Sequence, residues 1–508
     1  MIPEAQLSRR RFIELLAMTG ALPLVDRASA MLSTHGMDPR TIVPRAPLVV
    51  PPHVRPNGLH FVARERRVAI APGVMARAWS PSDGPVGDVI DVRRGERATI
   101  TLENQLVEPT ILHWHGLRVP EAADGHPRLA IAPGSSYQYA FPVIDRAGTY
   151  WYHSHAHHRT GLQSYRGMVG MLIVRDDEED RLELPHGEFE LPMLIQDRRL
   201  AADGTLEYEP VMHEQMEGYF GDTPFVNGIR LPEHEVATTT YRLRLVNATS
   251  SRILRVALST GRPMRLIGND GGLLPQPVTV ESIDLATGER ADLLVDFGDQ
   301  PVGSIVMLRS LPFDAPAGGM GMGMGMGMGR GMGAGGMGRG RMGAGGIPQG
   351  GAMDLVAFKV QRAVRSAAWR ERAFPEIPAV DPARASTTRT FRFESAMMQH
   401  SINGRPFAMD RIDEVVRFGT TEIWTFVNES PFPHPVHMHA VQFRVIAREG
   451  GRARLMPWEQ GWKDTVAVYP GERVSVLATF DQVRGLFLMH CHNMIHEDMG
   501  MMLNFSID

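Results

Sequence analysis

A chain of 508 residues, 43% hydrophobic and 22% charged, is long enough for two to four domains with buried cores. Its formal net charge of -4, with both signs interspersed, excludes the one-sided basic excess by which nucleic-acid partners are held. A single cysteine, Cys491, excludes an internal disulfide and leaves only thiolate chemistry to that residue.

Residues 1–30 read as an export address. Ser8-Arg9-Arg10-Arg11-Phe12 places paired arginines ahead of an apolar run at 15–25, and Ala28-Ser29-Ala30 offers a small-residue cleavage site. The expectation is a twin-arginine signal, with the twin-arginine translocase as a transient partner and a periplasmic or otherwise exported product. The competing reading is a basic helix of the mature fold. No later stretch holds the roughly 20 apolar residues that span a bilayer, so no membrane span is expected in the mature chain.

Beyond the signal, short apolar runs alternate with Gly, Pro and Asp turns, which predicts an all-β chain. One strand pattern occurs three times, at Gly148 to His155, Gly303 to Ser310 and Gly485 to His492. Each copy follows a turn and strand (133–141, 288–297 and 471–480) and precedes a last apolar strand (168–174, 355–360 and 501–505). Three related β-sandwich domains follow, at 46–180, 185–362 and 385–508, with boundaries in the acidic stretch 176–180 and the Ala/Arg/Pro-rich stretch 362–388. Where the outer copies carry histidine, the middle copy has Leu308 and Ser310. The outer domains are therefore expected to share a metal site that the middle domain positions.

Four clusters hold ten of the 20 histidines: His113-Trp114-His115, His153-Ser154-His155, His434-Pro435-Val436-His437-Met438-His439, and His490-Cys491-His492 with His496. On a strand, residues two apart face one side, so each His-x-His aims two imidazoles at one place. Cys491 points to the face opposite His490 and His492, so one strand touches two sites. Thiolate, two imidazoles and a weak thioether form a blue-copper ligand set. Cys491, His434, His496 and the axial Met501 can supply it. The opposite face offers six to eight imidazoles without a thiolate, which excludes a zinc ribbon or an iron–sulfur cluster and fits a polynuclear copper site.

In order and spacing the four clusters resemble the copper motifs of the multicopper oxidases, the family of laccases, bilirubin oxidases and bacterial copper-efflux oxidases. The resemblance covers nearly all of the mature chain. It implies three cupredoxin-like Greek-key β-sandwich domains and four copper ions. His113 and His437 would hold the type-2 ion, while His115, His153, His155, His439, His490 and His492 would hold the type-3 pair. His434, Cys491, His496 and Met501 would hold an exposed type-1 ion. Electrons from a reduced substrate would pass through Cys491 to His490 and His492, and dioxygen would be reduced to water. Asp124 and Glu497 match acidic positions that some bacterial members use in oxygen binding and proton delivery.

Between the last two strands of the middle domain runs a Met/Gly insert at 318–353, with Met320, Met322, Met324, Met326, Met328, Met332, Met337, Met342 and Met353. Its glycines predict a mobile loop and its thioethers favour Cu(I). The expected substrate is therefore Cu(I), with a laccase-type oxidase of small phenols and aromatic amines as the alternative and the insert then a spacer. Ser430 stands where some copper-efflux oxidases carry an acidic ligand. A non-enzymatic copper carrier would need no trinuclear cluster. The family's copper-free, twin-arginine-exported division protein would be expected to lack the ligands present here, and copper nitrite reductase lacks the full set of paired histidines.

Overall fold

The computed structural model describes residues 45–201, 203–315, 346–364, 369–396 and 398–508. The signal-like segment and most of the Met/Gly insert lie outside these residues. Strands form where apolar side chains alternate. In Arg97–Asn104, for example, Ala98, Ile100, Leu102 and Asn104 turn inward while their neighbours face out.

Among the described residues, six sheets pair into three sandwiches. In the first domain, strands Asn57–Ala71, Val74–Ser80, Arg97–Asn104 and Ser136–Pro142 face a sheet that contains Val89–Arg93, Leu112–His115, Gly148–Ser154 and Val169–Arg175. The same neighbour relations recur in all three domains. A parallel pair opens each, at Asn57–Ala71 with Arg97–Asn104, Glu190–Leu200 with Thr240–Asn247, and Thr387–Ala396 with Thr421–Asn428. The repeated strand then runs antiparallel to the last strand: Gly148–Ser154 with Val169–Arg175, Ile305–Ser310 with Met353–Arg362, and Gly485–Cys491 with Met502–Ile507. Non-sequential strand orders within each sheet give the Greek-key connectivity of a cupredoxin fold.

Two details depart from the sequence reading. Ala46 and Pro47 lead not into the first domain but along the free edge of strand Glu233–Ala237 in the second. There Leu48 N donates to Glu233 O at 2.7 Å and its side chain joins the middle core. Met353, assigned to the insert, is the first residue of the last middle-domain strand and is buried in that core, because the strand's inward positions begin with it.

Candidate metal centre

The motif histidines sit on two facing hairpin-like strand pairs. In the first domain Leu112–His115 runs antiparallel to Gly148–Ser154, with His113 opposite His153. In the third, His434–Met438 runs antiparallel to Gly485–Cys491, with His437 opposite His490 and Val436 opposite Cys491. The two-residue period sorts the side chains. Trp114 and Tyr152 enter the first core, while His113, His115 and His153 face the third domain. His434, on the even face of its strand, meets Cys491, while His437 and His439 turn to the cluster.

Eight buried imidazoles converge between the outer domains. Their closest ring nitrogens form one pair and two triads. His113 Nε2 lies 3.4 Å from His437 Nε2. His115 Nδ1 lies 3.3 Å from His153 Nε2 and 3.2 Å from His492 Nε2. His490 Nε2 lies 3.4 Å from His155 Nε2 and 3.2 Å from His439 Nε2.

The outer nitrogens show what these contacts are. His113 Nδ1 donates to Asp124 O (2.6 Å), His153 Nδ1 to Ser154 O (2.9 Å), His437 Nδ1 to Asp464 O (2.9 Å) and His439 Nδ1 to Asp124 Oδ2 (2.7 Å). A neutral imidazole has one proton, and these acceptors fix it on the outer nitrogen. On these four rings the inner nitrogen therefore presents a lone pair to the cluster in a dry interior, and those of His113 and His437 face each other directly. Burial, and then crowding by other imidazoles, holds His113, His439 and His492 well below the usual histidine range, which prevents a shared proton from relieving the repulsion. A cation that accepts nitrogen ligands is what such a nest fits.

The second place lies on the other face of the same strand. Cys491 Sγ is 3.3 Å from His434 Nδ1 and 3.6 Å from His496 Nδ1, and all three residues are buried. His434 Nε2 donates to Ser430 Oγ (2.6 Å), whose hydroxyl donates to Phe432 O. His496 Nε2 donates to Met216 O (2.9 Å). Both rings thus turn lone pairs toward the sulfur. Burial pushes the Cys491 thiol up, so a free thiolate would be unstable without a cation. Met501 is buried in the same core, with its carbonyl accepting from Cys491 N and its N–H donating to His496 O.

Family models described as multicopper oxidase match residues 63–179, 227–321 and 375–508, more than half of the chain. The chain belongs to the multicopper oxidase family. The laccase of Bacillus subtilis (strain 168) is 29% identical to it over 495 residues, covering 85% of this chain and 90% of the relative. Cell division protein FtsP of Escherichia coli (strain K12) is 30% identical over 486 residues, covering 94% of this chain and 93% of the relative. Among solved structures, the McoA multicopper oxidase from the hyperthermophile Aquifex aeolicus aligns with a TM-score of 0.79 at 29% identity, covering 91% of this chain and all but 1% of that one, 99%. This multicopper oxidase is an oxidoreductase with copper as its cofactor.

Four features of the site were not read from the sequence. Asp464, in no histidine motif, accepts from His115 Nε2 (3.1 Å) through Oδ1, and its main-chain carbonyl receives His437. Trp151 walls the cluster, its ring 4.4 Å from that of His153 and 5.1 Å from that of His115. The expected exposure of the Cys491 site does not occur, because Met216, from the short middle-domain helix Met212–Glu217, caps His496 from outside. His400 completes the cover, its ring stacked 4.0 Å from that of His496 and its Nε2 donating to Gln215 O.

The two acids named from sequence lie at the cluster. Asp124 is fully buried. One oxygen serves His439, and the other, Oδ1, has no partner and lies 3.6 Å from His113 Nδ1. Burial raises its carboxyl well above the usual range, which favours the protonated form. Glu497 places Oε2 3.1 Å from His490 Nδ1 and Oε1 3.6 Å from His155 Nε2.

Proposed function

We propose that this multicopper oxidase is a cuprous oxidase that couples one-electron oxidation of Cu(I) to the four-electron reduction of dioxygen to water. In this reading His434, Cys491, His496 and Met501 hold a type-1 copper, His113 and His437 a type-2 copper, and His115, His153, His155, His439, His490 and His492 a type-3 pair. Copper bound there supplies one-electron transfer and a place for dioxygen to be reduced. The protein's share is positional. Cys491 is covalently flanked by His490 and His492, which makes the main chain the shortest connection between the two places. Asp124 Oδ1, raised by burial, lies beside His113 and suits a proton donor. Glu497, whose burial is outweighed by His490 and His155 so that it is held down at about 2, lies against those rings as a carboxylate that can relay protons. Export through a twin-arginine signal at 1–30 belongs to the same reading, as it would place the enzyme where exogenous copper arrives.

The observation that carries the Cu(I) preference is the root of the Met/Gly insert. Ile347 N donates to Gly221 O at 3.2 Å, and Arg252 binds the carbonyls of Ile347 and Pro348 at 2.6 and 2.9 Å. Gly221 follows the helix whose Met216 caps His496, so the described root of the insert, Ile347 and Pro348, is anchored next to the cover of the Cys491 site, and the sequence that leads into it carries eight methionines at 320–342. That cover keeps a planar organic ring from touching His496, whereas a small soft ion is drawn by thioethers.

Aerobic turnover with Cu(I) and with a phenol, for the copper-loaded protein with and without residues 318–345, tests the reading. Loss of Cu(I) oxidation with phenol oxidation held or raised supports it. Unchanged Cu(I) turnover makes the insert a spacer and the enzyme a laccase, which is the name of the Bacillus relative.

A further inference from the structure

The middle domain supplies no imidazole, yet its Arg290 reaches the wall of the cluster. Each N–H of the buried guanidinium is used. Nε donates to Thr149 O (3.1 Å), Nη1 to Gly288 O (2.8 Å) and Asp464 Oδ1 (2.7 Å), and Nη2 to Asp270 O (2.9 Å) and Asp464 Oδ2. Thr149 belongs to the first domain and Asp464 to the third, so one side chain closes a junction of all three. Gly116, at φ +91°, lies against this pair: a Cβ there would stand 2.6 Å from Arg290 Nη2 and 2.7 Å from Asp464 Oδ2. A side chain at position 116 would displace the pair.

What Asp464 then does is visible at His115. Seven of the eight cluster imidazoles turn Nε2 inward, and His115 alone turns Nδ1 inward. Its Nε2 is engaged outside by Asp464 Oδ1 and Thr465 Oγ1, each at 3.1 Å. A carboxylate at Nε2 places the ring's one proton there and leaves the Nδ1 lone pair for the cluster. A carboxylate this deeply buried stays ionised only if it is paired, and the bidentate arginine is its partner.

We propose that Arg290 is a positioning residue for the copper cluster: through Asp464 it fixes the tautomer and ring orientation of His115, so that metal loading depends on docking of the middle domain. The inference rests on the copper-cluster reading above. It is distinct from a general cementing role, which Arg242 fills with Glu179 and Asp292 at the first-to-middle domain interface.

The test compares copper per chain, blue absorbance and the electron paramagnetic resonance signal of the non-blue copper in the wild type and in Arg290→Met, Arg290→Lys, Asp464→Asn and Arg242→Met. Arg290→Met and Asp464→Asn are expected to keep the blue band but bind cluster copper about 10- to 100-fold more weakly. Arg290→Lys should restore part of the loss, and Arg242→Met should melt earlier with unchanged copper per chain. Wild-type loading and an unaltered non-blue signal in Arg290→Met would overturn the proposal, as would an equal copper loss in Arg242→Met. If Arg290→Met does not fold, the near-isosteric Asp464→Asn decides between the same two outcomes. A wild type that binds only the blue copper would instead sink the cluster reading itself.

Discussion

Stripping the copper should make the protein acid-labile just below neutrality. Eight imidazoles of the two candidate sites (His113, His115, His153, His155, His434, His439, His492 and His496) are held far below 6.5, His153 at about 3, with burial the largest cause at each. In the unfolded chain they titrate near 6.5. As pH falls through that value the unfolded state takes up protons that the folded state refuses, so stability present above 6.5 is lost below it. Between about pH 7 and about pH 6 each ring costs about 0.7 kcal/mol, together about 5.5 kcal/mol. That equals the lower end of the roughly 5–15 kcal/mol that holds a domain folded. It is an upper figure, because an opening that wets the cluster admits the same protons. With copper bound, a ring must lose its ligand bond before it can protonate, and the metal stabilises the folded state by mass action. Urea melts followed by circular dichroism at about pH 7.5, 6.5 and 5.5 measure both forms. The stripped protein's midpoint should collapse by the lowest pH while the loaded protein's holds. A stripped protein whose midpoint is flat across that range would show that the imidazoles are not held neutral in a dry interior.

Asp124→Asn keeps an acceptor for His439 Nδ1 but removes the ionisable group at the unpartnered oxygen. Oxygen uptake should slow about 10²- to 10⁴-fold with copper per chain unchanged, and copper loss in its place would reduce Asp124 to a scaffold for His439. His400→Ala removes the ring stacked on His496. Phenol kcat/KM should rise by about 10-fold, equivalent to about 1.4 kcal/mol, with Cu(I) turnover unaffected; steady-state rates that leave phenol oxidation unmoved would dissociate the cover from substrate choice.

The threefold sandwich was legible because each domain repeats a glycine, an apolar strand and a final strand at matching intervals. The facing of the histidines was legible for a related reason: period two places Trp114 in the core and its neighbours at the cluster. Asp464, Arg290 and the Met216 carbonyl carry no such mark, since each acts on a residue of another domain or another motif and no local spacing records that approach; Trp151, two positions before His153 on one strand, did carry the period-two signal that puts it on the cluster face. The buried Cys491 site was misjudged on the same ground. Its cover comes from helix Met212–Glu217, more than 200 positions earlier in the chain. Asp464 had one weak signal, an acid embedded between Trp462-Lys463 and Thr465-Val466 with no turn composition around it, which marks a buried carboxylate that needs a partner.

Overall similarity does not separate the roles found among relatives of this length. A laccase at 29% identity and a cell division protein at 30% cover the chain almost equally. The molecule contains its own comparison. The strand slot that holds His153 and His155 in the first domain and His490 and His492 in the third holds Leu308 and Ser310 in the middle one. There Leu308 is fully buried in the core and Ser310 Oγ accepts from Arg255 N at 3.0 Å. The scaffold folds with either content, and the apolar content is the more stabilising, since burying a leucine contributes about 1.5–3 kcal/mol, whereas converging lone pairs in a dry cleft repel. The fold therefore has no need of the imidazoles, but the imidazoles need a cation. Their presence in both outer domains, with outer nitrogens pinned by Asp124, Asp464 and main-chain carbonyls, argues for a working copper centre more strongly than any level of identity to a named relative.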